Sequence, residues 1–399
     1  MAAPYPLRKL KSGLKLKLAQ ILMGDKATTP HFAWAGSGSS ERLCARIEQS
    51  GHKNVLVVTD KPLRALGVVD RALEGFDRSV TTLHFYDGVE PDPTFGQVAE
   101  GAKVCRDSYC TAVLAVGGGS SIDAAKVIAL EAVNEGDPMS WVGINKAPAT
   151  AVPIYAIPTT SGTGSEATMG AVITHEVDHS KQIISGLAVL PRAVAVDPDL
   201  MLGLPPAITA ATGLDALTHG IEAYTSLWER GSRTETSLMA IQGVFKWLPN
   251  VLLEPGNVAA REGMALAAYY GGVAINQVNV GFVHAVAHQL GARYGIPHGM
   301  ANALVLPHVL KAYGAAAEPK LAELARAIGL SDTTGAGFIN AVFELRELAG
   351  LPSEHAAIQA HDIDAIVEAA IAEGDGYFSP RLLTPDEVKA ILLAISVNA

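Results

Sequence analysis

From about Asn54 the apolar positions fall into short β-branched runs separated by longer stretches of helical period. NVLVVT (54–59), TTLHFY (81–86), TAVLAV (111–116), VPIYAI (152–157) and AVAV (193–196) are strand-length and bounded by turn residues. Between them, the segments through Glu74, from about Thr94 to Cys105, and after GGGSS space their apolar residues as helices do. Strands alternating with helices predict a parallel sheet covered on both faces. After GLPP (203–206) the period changes. TAATGLDALTHGIEAYTS, RTETSLMAIQGVFKWL, REGMALAAYYGGVAI, PKLAELARAI and TPDEVKAILLAI all repeat apolar residues every three to four positions, with no clear strand among them. The pattern therefore divides the chain into an α/β N-terminal domain over residues 31–200 and an all-α C-terminal domain over 201–399, preceded by an extension over 1–30.

The extension has its own character. Arg8, Lys9, Lys11, Lys15 and Lys17 all precede the first acidic residue, Asp25. LKLKL (14–18) alternates as a strand does, and Gly13 is expected to interrupt any helix. A membrane-surface arm or an organelle address would use such a basic segment. A solvated extension, or a strap across a subunit, would need only its length. Lysines break up its apolar stretches, which excludes a secretory signal.

Composition narrows the class. With 399 residues, 49% hydrophobic and 18% charged, the chain can bury the cores of two domains. A net charge of −10 argues against a nucleic-acid binder, which presents a basic face. Three cysteines, Cys44, Cys105 and Cys110, are too few and too irregular for a disulfide framework or a cysteine metal site. They match a reducing compartment, and a cytoplasmic location is expected. No run approaches the roughly 20 consecutive apolar residues that span a bilayer.

Two turns carry candidate chemistry in the first half. TAVLAV runs directly into Gly117, Gly118, Gly119, Ser120 and Ser121, then a helix with Asp123 and Lys126. Glycines allow close approach of a ligand, and a helix N-terminus offers free N–H groups and a positive dipole end, which suits a diphosphate. The stretch is neither a P-loop nor a strict GxGxxG, and a plain strand-to-helix turn is the alternative. IPTTSGTGSE (157–166) is a second such turn after a strand, with the hydroxyls of Thr159, Thr160 and Thr163. Asp60, closing VLVVT, can accept hydrogen bonds from an adenosine ribose and would repel a 2′-phosphate; it can also cap a helix before Pro62. The usual dinucleotide fold carries its acid after the glycine turn. Here it comes before, so a shared cofactor implies a differently ordered nucleotide domain.

The second half is marked by GFVHAVAHQLGARYGIPHGMANA (281–303), with His284, His288 and His298 within 15 residues. His284 and His288 are four apart, hence on one helical face, and His298 is expected at a bend between helices. GLDALTHGIEA (213–223) sets Asp215 and His219 four apart on another helix. Two such helices can enclose a divalent cation, and imidazole with carboxylate suits Fe²⁺ or Zn²⁺ rather than Ca²⁺ or Mg²⁺. Spacing leaves open which of the five ligate, since a catalytic metal keeps one position free. Core imidazoles and a proton relay are the competing readings. His308 is expected to pack behind such a site, and Glu222 to support it or form a salt bridge.

Taken together, GGGSS-I-D-x-x-K, PTT-x-G-T-G-S-E, the Asp215/His219 helix and the long histidine motif resemble the iron-containing (group III) alcohol dehydrogenase family. The matches run in order from about Phe32 to SPRLLTPDEV near the C-terminus. The resemblance implies an N-terminal dinucleotide-binding domain, a helical metal domain, and hydride transfer between an alcohol and NAD, reversibly giving an aldehyde or ketone. It makes Asp215, His219, His284 and His298 the ligands of Fe²⁺ or Zn²⁺, and His288 a non-ligand near the nicotinamide that transfers a proton. It sets Gly117, Gly118, Gly119, Ser120, Asp123, Thr159, Thr160, Thr163 and Lys181 around the cofactor, and Asp60 where an acid favours NAD over NADP. It also implies a homodimer or larger assembly. The chain departs from the pattern at Gly170 and at Ser379-Pro380-Arg381, beside Tyr377 and Phe378, which bear on substrate. Two alternatives stand beside it. One is a lyase like dehydroquinate synthase, which would need a Lys/Arg cluster where this stretch offers only Arg293. The other is a non-catalytic nucleotide-binding or membrane-associated protein.

Overall fold

The structure, a computed structural model, describes residues 4–23, 32–177 and 179–397. The remaining parts of the basic extension, Asp25 with them, and His31 lie outside the described residues. The chain forms two compact units that interleave in sequence. One comprises residues 29–204 and 255–272, the other residues 1–28, 205–254 and 273–399.

The α/β unit contains strands β1 (Phe32–Ala35), β2 (Asn54–Val58), β3 (Thr82–Tyr86), β4 (Ala112–Gly117), β5 (Ile154–Pro158), β6 (Gly170–Thr174), β7 (Lys181–Ser185) and β8 (Ala193–Val196). Six of them form a parallel sheet in the order β1-β8-β5-β4-β2-β3. Alternation along each strand explains the double-sided core. Leu56, Val58, Val113, Ala115, Ile154 and Ala156 face one cluster, while Val55, Val57, Ala112, Leu114, Tyr155 and Ile157 face the other.

In the helical unit, α1 (Tyr5–Met23) comes first. The α/β unit supplies α2 (Ser39–Gln49), α3 (Lys61–Ala65), α4 (Val68–Ala72), α5 (Phe95–Asp107) and α6 (Gly119–Glu131). Helices α5 and α6 cover the first sheet face, and α2 and α4 the second. The helical unit continues with α7 (Pro206–Thr225) and α8 (Arg233–Leu253). Helix α9 (Val258–Val278) starts in the α/β unit and ends in the helical one. Then follow α10 (Phe282–Tyr294), α11 (His298–Tyr313), α12 (Glu318–Ala327), α13 (Gly335–Leu348), α14 (Ile363–Gly374) and α15 (Pro385–Ala394). The part of α9 that belongs to the α/β unit, residues 258–272, packs on that unit through two glycines. Gly164 is left-handed (φ 59), and a Cβ there would lie 2.5 Å from Gly272 Cα, so backbone meets backbone.

Three local expectations change. The antiparallel hairpin β6–β7 and the edge strand β1 were not anticipated. The stretch to Glu74 is two short helices, because left-handed Gly67 (φ 71) ends the first. Gly13 does not interrupt the N-terminal helix. A mid-helix glycine costs about 1 kcal/mol, and α1 forms all the same, docked on the helical unit by Arg8 and Leu16. Arg8 is buried, with Nε 2.6 Å and Nη2 2.5 Å from the two Asp375 oxygens and Nη2 donating to Leu383 O at 2.9 Å. Leu16 packs on the cluster of Ala223, Trp228, Ala274 and Val278.

Candidate metal and dinucleotide sites

In the helical unit, α7 presents Asp215 and His219 one turn apart, α10 presents His284, and His298 opens α11 directly after Pro297. Their donor atoms lie within 4.8 Å of one another. His219 Nε2 and His284 Nε2 are 3.1 Å apart, and Asp215 Oδ1 is 3.4 Å from His298 Nε2 and 3.7 Å from each of the other two. A tetrahedron of ligands at ~2.1 Å from a metal has edges of about 3.4 Å, so the four atoms already outline a first-row coordination shell. Asp215, His219 and His284 are buried; the His298 side chain is 38% exposed and leaves the shell open on that side.

The surrounding polar atoms aim these donors. Glu222 accepts from the backbone N–H groups of Gly281 (2.9 Å) and Val283 (2.7 Å), and its Oε2 is 2.6 Å from His284 Nδ1. A carboxylate there assigns the proton to Nδ1 and turns the Nε2 lone pair toward the shared centre, the arrangement typical of a ligating histidine. Asn302 Nδ2 donates to Asp215 Oδ1 at 2.7 Å and stands 3.2 Å from both His284 Nε2 and His298 Nε2. Among the described residues, His219 Nδ1 and Asn302 Oδ1 are buried without a hydrogen-bond partner.

Charge follows the same geometry. Burial pushes His219 down to about 4. Burial opposes charge on His284 too, but the Glu222 and Asp215 carboxylates hold it up to about 9. Asp215 sits well below the usual carboxylate range, because His219 and His298 outweigh its burial. A buried carboxylate facing three imidazole nitrogens at 3.4–3.7 Å is an anionic pocket of borderline donors, and a divalent ion fits it.

His288 stands outside this group. Its Nδ1 is 2.6 Å from Glu373 Oε1, which also accepts from Tyr377 Oη at 2.7 Å, while Gln289 Nε2 donates to Glu373 Oε2 at 2.8 Å. Its ring stacks on His298 with centroids 5.5 Å apart. Glu373 and Asn302 were missed in the sequence. Asn302 lies one turn after His298 and could have been found from that spacing; Glu373 has no local signal. Tyr377 is buried on Glu373, and Phe378 packs edge-on against Trp228. His308 packs edge-on against Phe343, not against the four donors. Arg293 pairs with Asp362 at 2.6 Å, so the cation that a phosphate-bearing lyase substrate would need is engaged elsewhere.

In the α/β unit, the chain goes from β2 out to β3, and from β4 the other way to β5, so the order reverses between β2 and β4. Ligands of open α/β sheets bind beyond the carboxyl ends of strands at such a reversal. Asp60 follows β2 there, and Gly117–Gly119 follow β4. Asp60 caps α3, accepting from Leu63 N at 2.8 Å, and burial raises its pKa. Gly118 precedes α6 with no side chain capping that end. Added Cβ atoms at Gly118 and Gly119 would meet Thr160 at 3.4 Å and Thr163 at 2.6 Å, so the two turns lie against each other. Thr159 N donates to Gly117 O at 3.0 Å.

Two of the expected cofactor residues also bond within the protein. Asp123 accepts from Ser165 Oγ (2.5 Å) and Val172 N (2.9 Å). Lys181 pairs with Asp92 at 2.6 Å and donates to Thr174 Oγ1 at 3.0 Å. The ammonium of buried Lys126 lies within hydrogen-bond distance of Ser165 O, Ser165 Oγ, Thr168 Oγ1 and Gly170 O, and ties α6 to the threonine turn. Beside it, burial pushes Glu166 up to about 7.

Comparison with known proteins identifies the family. Residues 30–198 match the family described as "Iron-containing alcohol dehydrogenase", and residues 209–396 the C-terminal part of the Fe-containing alcohol dehydrogenase family. Alcohol dehydrogenase 4 of Schizosaccharomyces pombe is 37% identical over 366 residues, covering 91% of this chain and 87% of the relative. The crystal structure of a 1,3-propanediol oxidoreductase superposes with a TM-score of 0.88 at 36% identity, over 92% of this chain and 98% of the other. Sulfoacetaldehyde reductase from Bifidobacterium kashiwanohense, solved in complex with NAD⁺, reaches 0.85 at 27% identity, over 94% and 99%. The chain belongs to the iron-containing alcohol dehydrogenase family and is an NAD- and metal-dependent oxidoreductase of alcohols and their carbonyl products.

Proposed function

We propose that Asp215, His219, His284 and His298 together hold one divalent cation, Fe²⁺ or Zn²⁺, and that His288 handles the substrate proton. The observation that carries this reading is the set of four donor atoms within 4.8 Å, spaced as the edges of a metal tetrahedron. When bound, the ion supplies Lewis acidity, which makes a hydroxyl far more acidic, as it takes water from 15.7 to about 7. Glu222 fixes His284 in the ligating tautomer. Glu373 holds the proton of His288 on Nδ1 and leaves Nε2 free to take the hydroxyl proton in oxidation and return it in reduction. On the nucleotide side, the amides at Gly118–Ser120 bind the diphosphate of NAD, with Thr159, Thr160 and Thr163 around it, and Asp60 accepts from the adenosine ribose. Asp123 and Lys181 border the cofactor as well, and they also fix the threonine turn and the hairpin.

The substrate in this reading is a small alcohol or diol, with the aldehyde or ketone on the reverse path. The α/β unit serves the nucleotide and the helical unit the metal. The protein works in the cytoplasm, a reducing compartment that its three cysteines outside any disulfide fit, as a homodimer or larger assembly. The test is a panel of short alcohols and 1,3-propanediol, followed by NADH absorbance with NAD⁺ and NADP⁺, in metal-loaded and chelated protein. Turnover is expected with NAD⁺ and metal, and equal rates after chelation would refute the metal's role. Asp60→Ala should raise the NADP⁺/NAD⁺ ratio of kcat/KM roughly tenfold by removing repulsion of the 2′-phosphate; an unchanged ratio removes Asp60 from cofactor selection.

A further inference from the structure

The outward face of α1 takes no part in this chemistry. Tyr5, Arg8, Ser12 and Leu16 recur at helical spacing and turn inward, held by the Arg8–Asp375 pair. At about 100° per residue, Leu7, Leu10, Leu14 and Leu18 share an arc of roughly 80° on the opposite side. They are 44%, 70%, 67% and 53% exposed, so the helix presents its leucines to the outside and its arginine to the protein, the reverse of a surface helix on a globular core. Lys11 and Lys15 flank the leucine stripe on one side and Lys17 on the other, all exposed.

We propose that α1 is an interfacial helix that docks the protein on an anionic lipid surface. The four leucines enter the headgroup layer and the flanking lysines meet the lipid phosphates. Charge favours this occupant. Residues 1–24 carry five basic groups and no acidic one, whereas the whole chain carries −10, so an anionic surface attracts α1 and repels the remainder. Area disfavours a second copy of the chain. The exposed leucines offer on the order of 400 Å², about half of the ~800 Å² per partner in a standard protein interface. No helix among the described residues is long and apolar enough to cross a membrane, so α1 lies on the surface rather than through it. Its fixed attachment through Arg8 means that no helix has to form on binding, which removes an ordering cost.

The experiment is flotation of the full chain with vesicles of phosphatidylcholine alone or mixed with phosphatidylglycerol. Partition onto the anionic vesicles is expected to exceed that onto neutral ones by roughly tenfold and to fall with salt. Leu10→Ser with Leu14→Ser, and separately Lys11→Glu with Lys15→Glu, should each lower it by about tenfold while dehydrogenase turnover stays unchanged. Absence of flotation, equal partition onto both vesicle types, or leucine variants that float like the parent would each overturn the proposal. So would a leucine variant that alters oligomer size by light scattering and leaves vesicle binding intact, which would assign the stripe to a protein interface.

Discussion

Asp215→Asn is expected to abolish metal loading and lower kcat/KM by roughly 10³-fold or more, equivalent to the several kcal/mol that a Lewis acid contributes to the reaction. Asp215 is the only anion among the four donors, and it lies 3.4–3.7 Å from three imidazole nitrogens. An amide in its place keeps the shape but removes the charge that attracts a dication into a buried pocket. It also faces the Asn302 Nδ2 donor, which now points at the carboxylate. The readouts are metal content per chain by elemental analysis and turnover with NAD⁺. A variant that keeps one metal per chain and near-parental turnover would show that the cluster is not the metal centre. Stability gives an independent check. Ligand binding stabilises the native state by RT ln(1 + [L]/Kd), so added Fe²⁺ or Zn²⁺ should raise the Tm of the parent and leave that of the variant unmoved.

His288→Ala should separate catalysis from metal binding. Proton transfer by a positioned side chain is worth about 10²–10⁴-fold, so kcat is expected to fall within that range while metal content stays at the parental level. Glu373→Gln keeps a hydrogen-bond partner at Nδ1 but lets the amide donate as well as accept, so the tautomer is no longer fixed. A fall of about tenfold in kcat with unchanged KM is expected, together with a shifted pH profile. Loss of metal in either variant would mean that His288 belongs to the coordination shell. An unchanged kcat in His288→Ala would show that the substrate proton leaves by another route.

How much of this was legible in the sequence depended on how local the signal was. Strands β2, β4, β5 and β8 announced themselves because both sheet faces are buried there, which makes nearly every residue apolar, while the edge strand β3 showed through its aromatic and β-branched residues. Strand β1 and the hairpin β6–β7 are short and only partly buried, with burial alternating irregularly, so periodicity gave them no contrast. Helix α1 was misread because Gly13 argued against it and its compensation, Asp375, lies 367 residues away from Arg8. The ligand-type residues were visible as pairs four apart, since helix pitch alone puts them on one face. Their convergence was not, because it depends on how α7, α10 and α11 pack. For the same reason spacing treated His284 and His288 alike, while the fold turns one to the shared centre and the other to Glu373, 85 residues on. The switch point between β2 and β4 explains the reversed order of acid and glycine turn, which only topology could reveal.

Glu222 both holds the two amides at the start of α10 and aims His284 through Nδ1. Warming that frays this first turn therefore also swings an imidazole off target. Heat inactivation should accordingly begin with escape of the ion, at a temperature below that at which the helical unit melts.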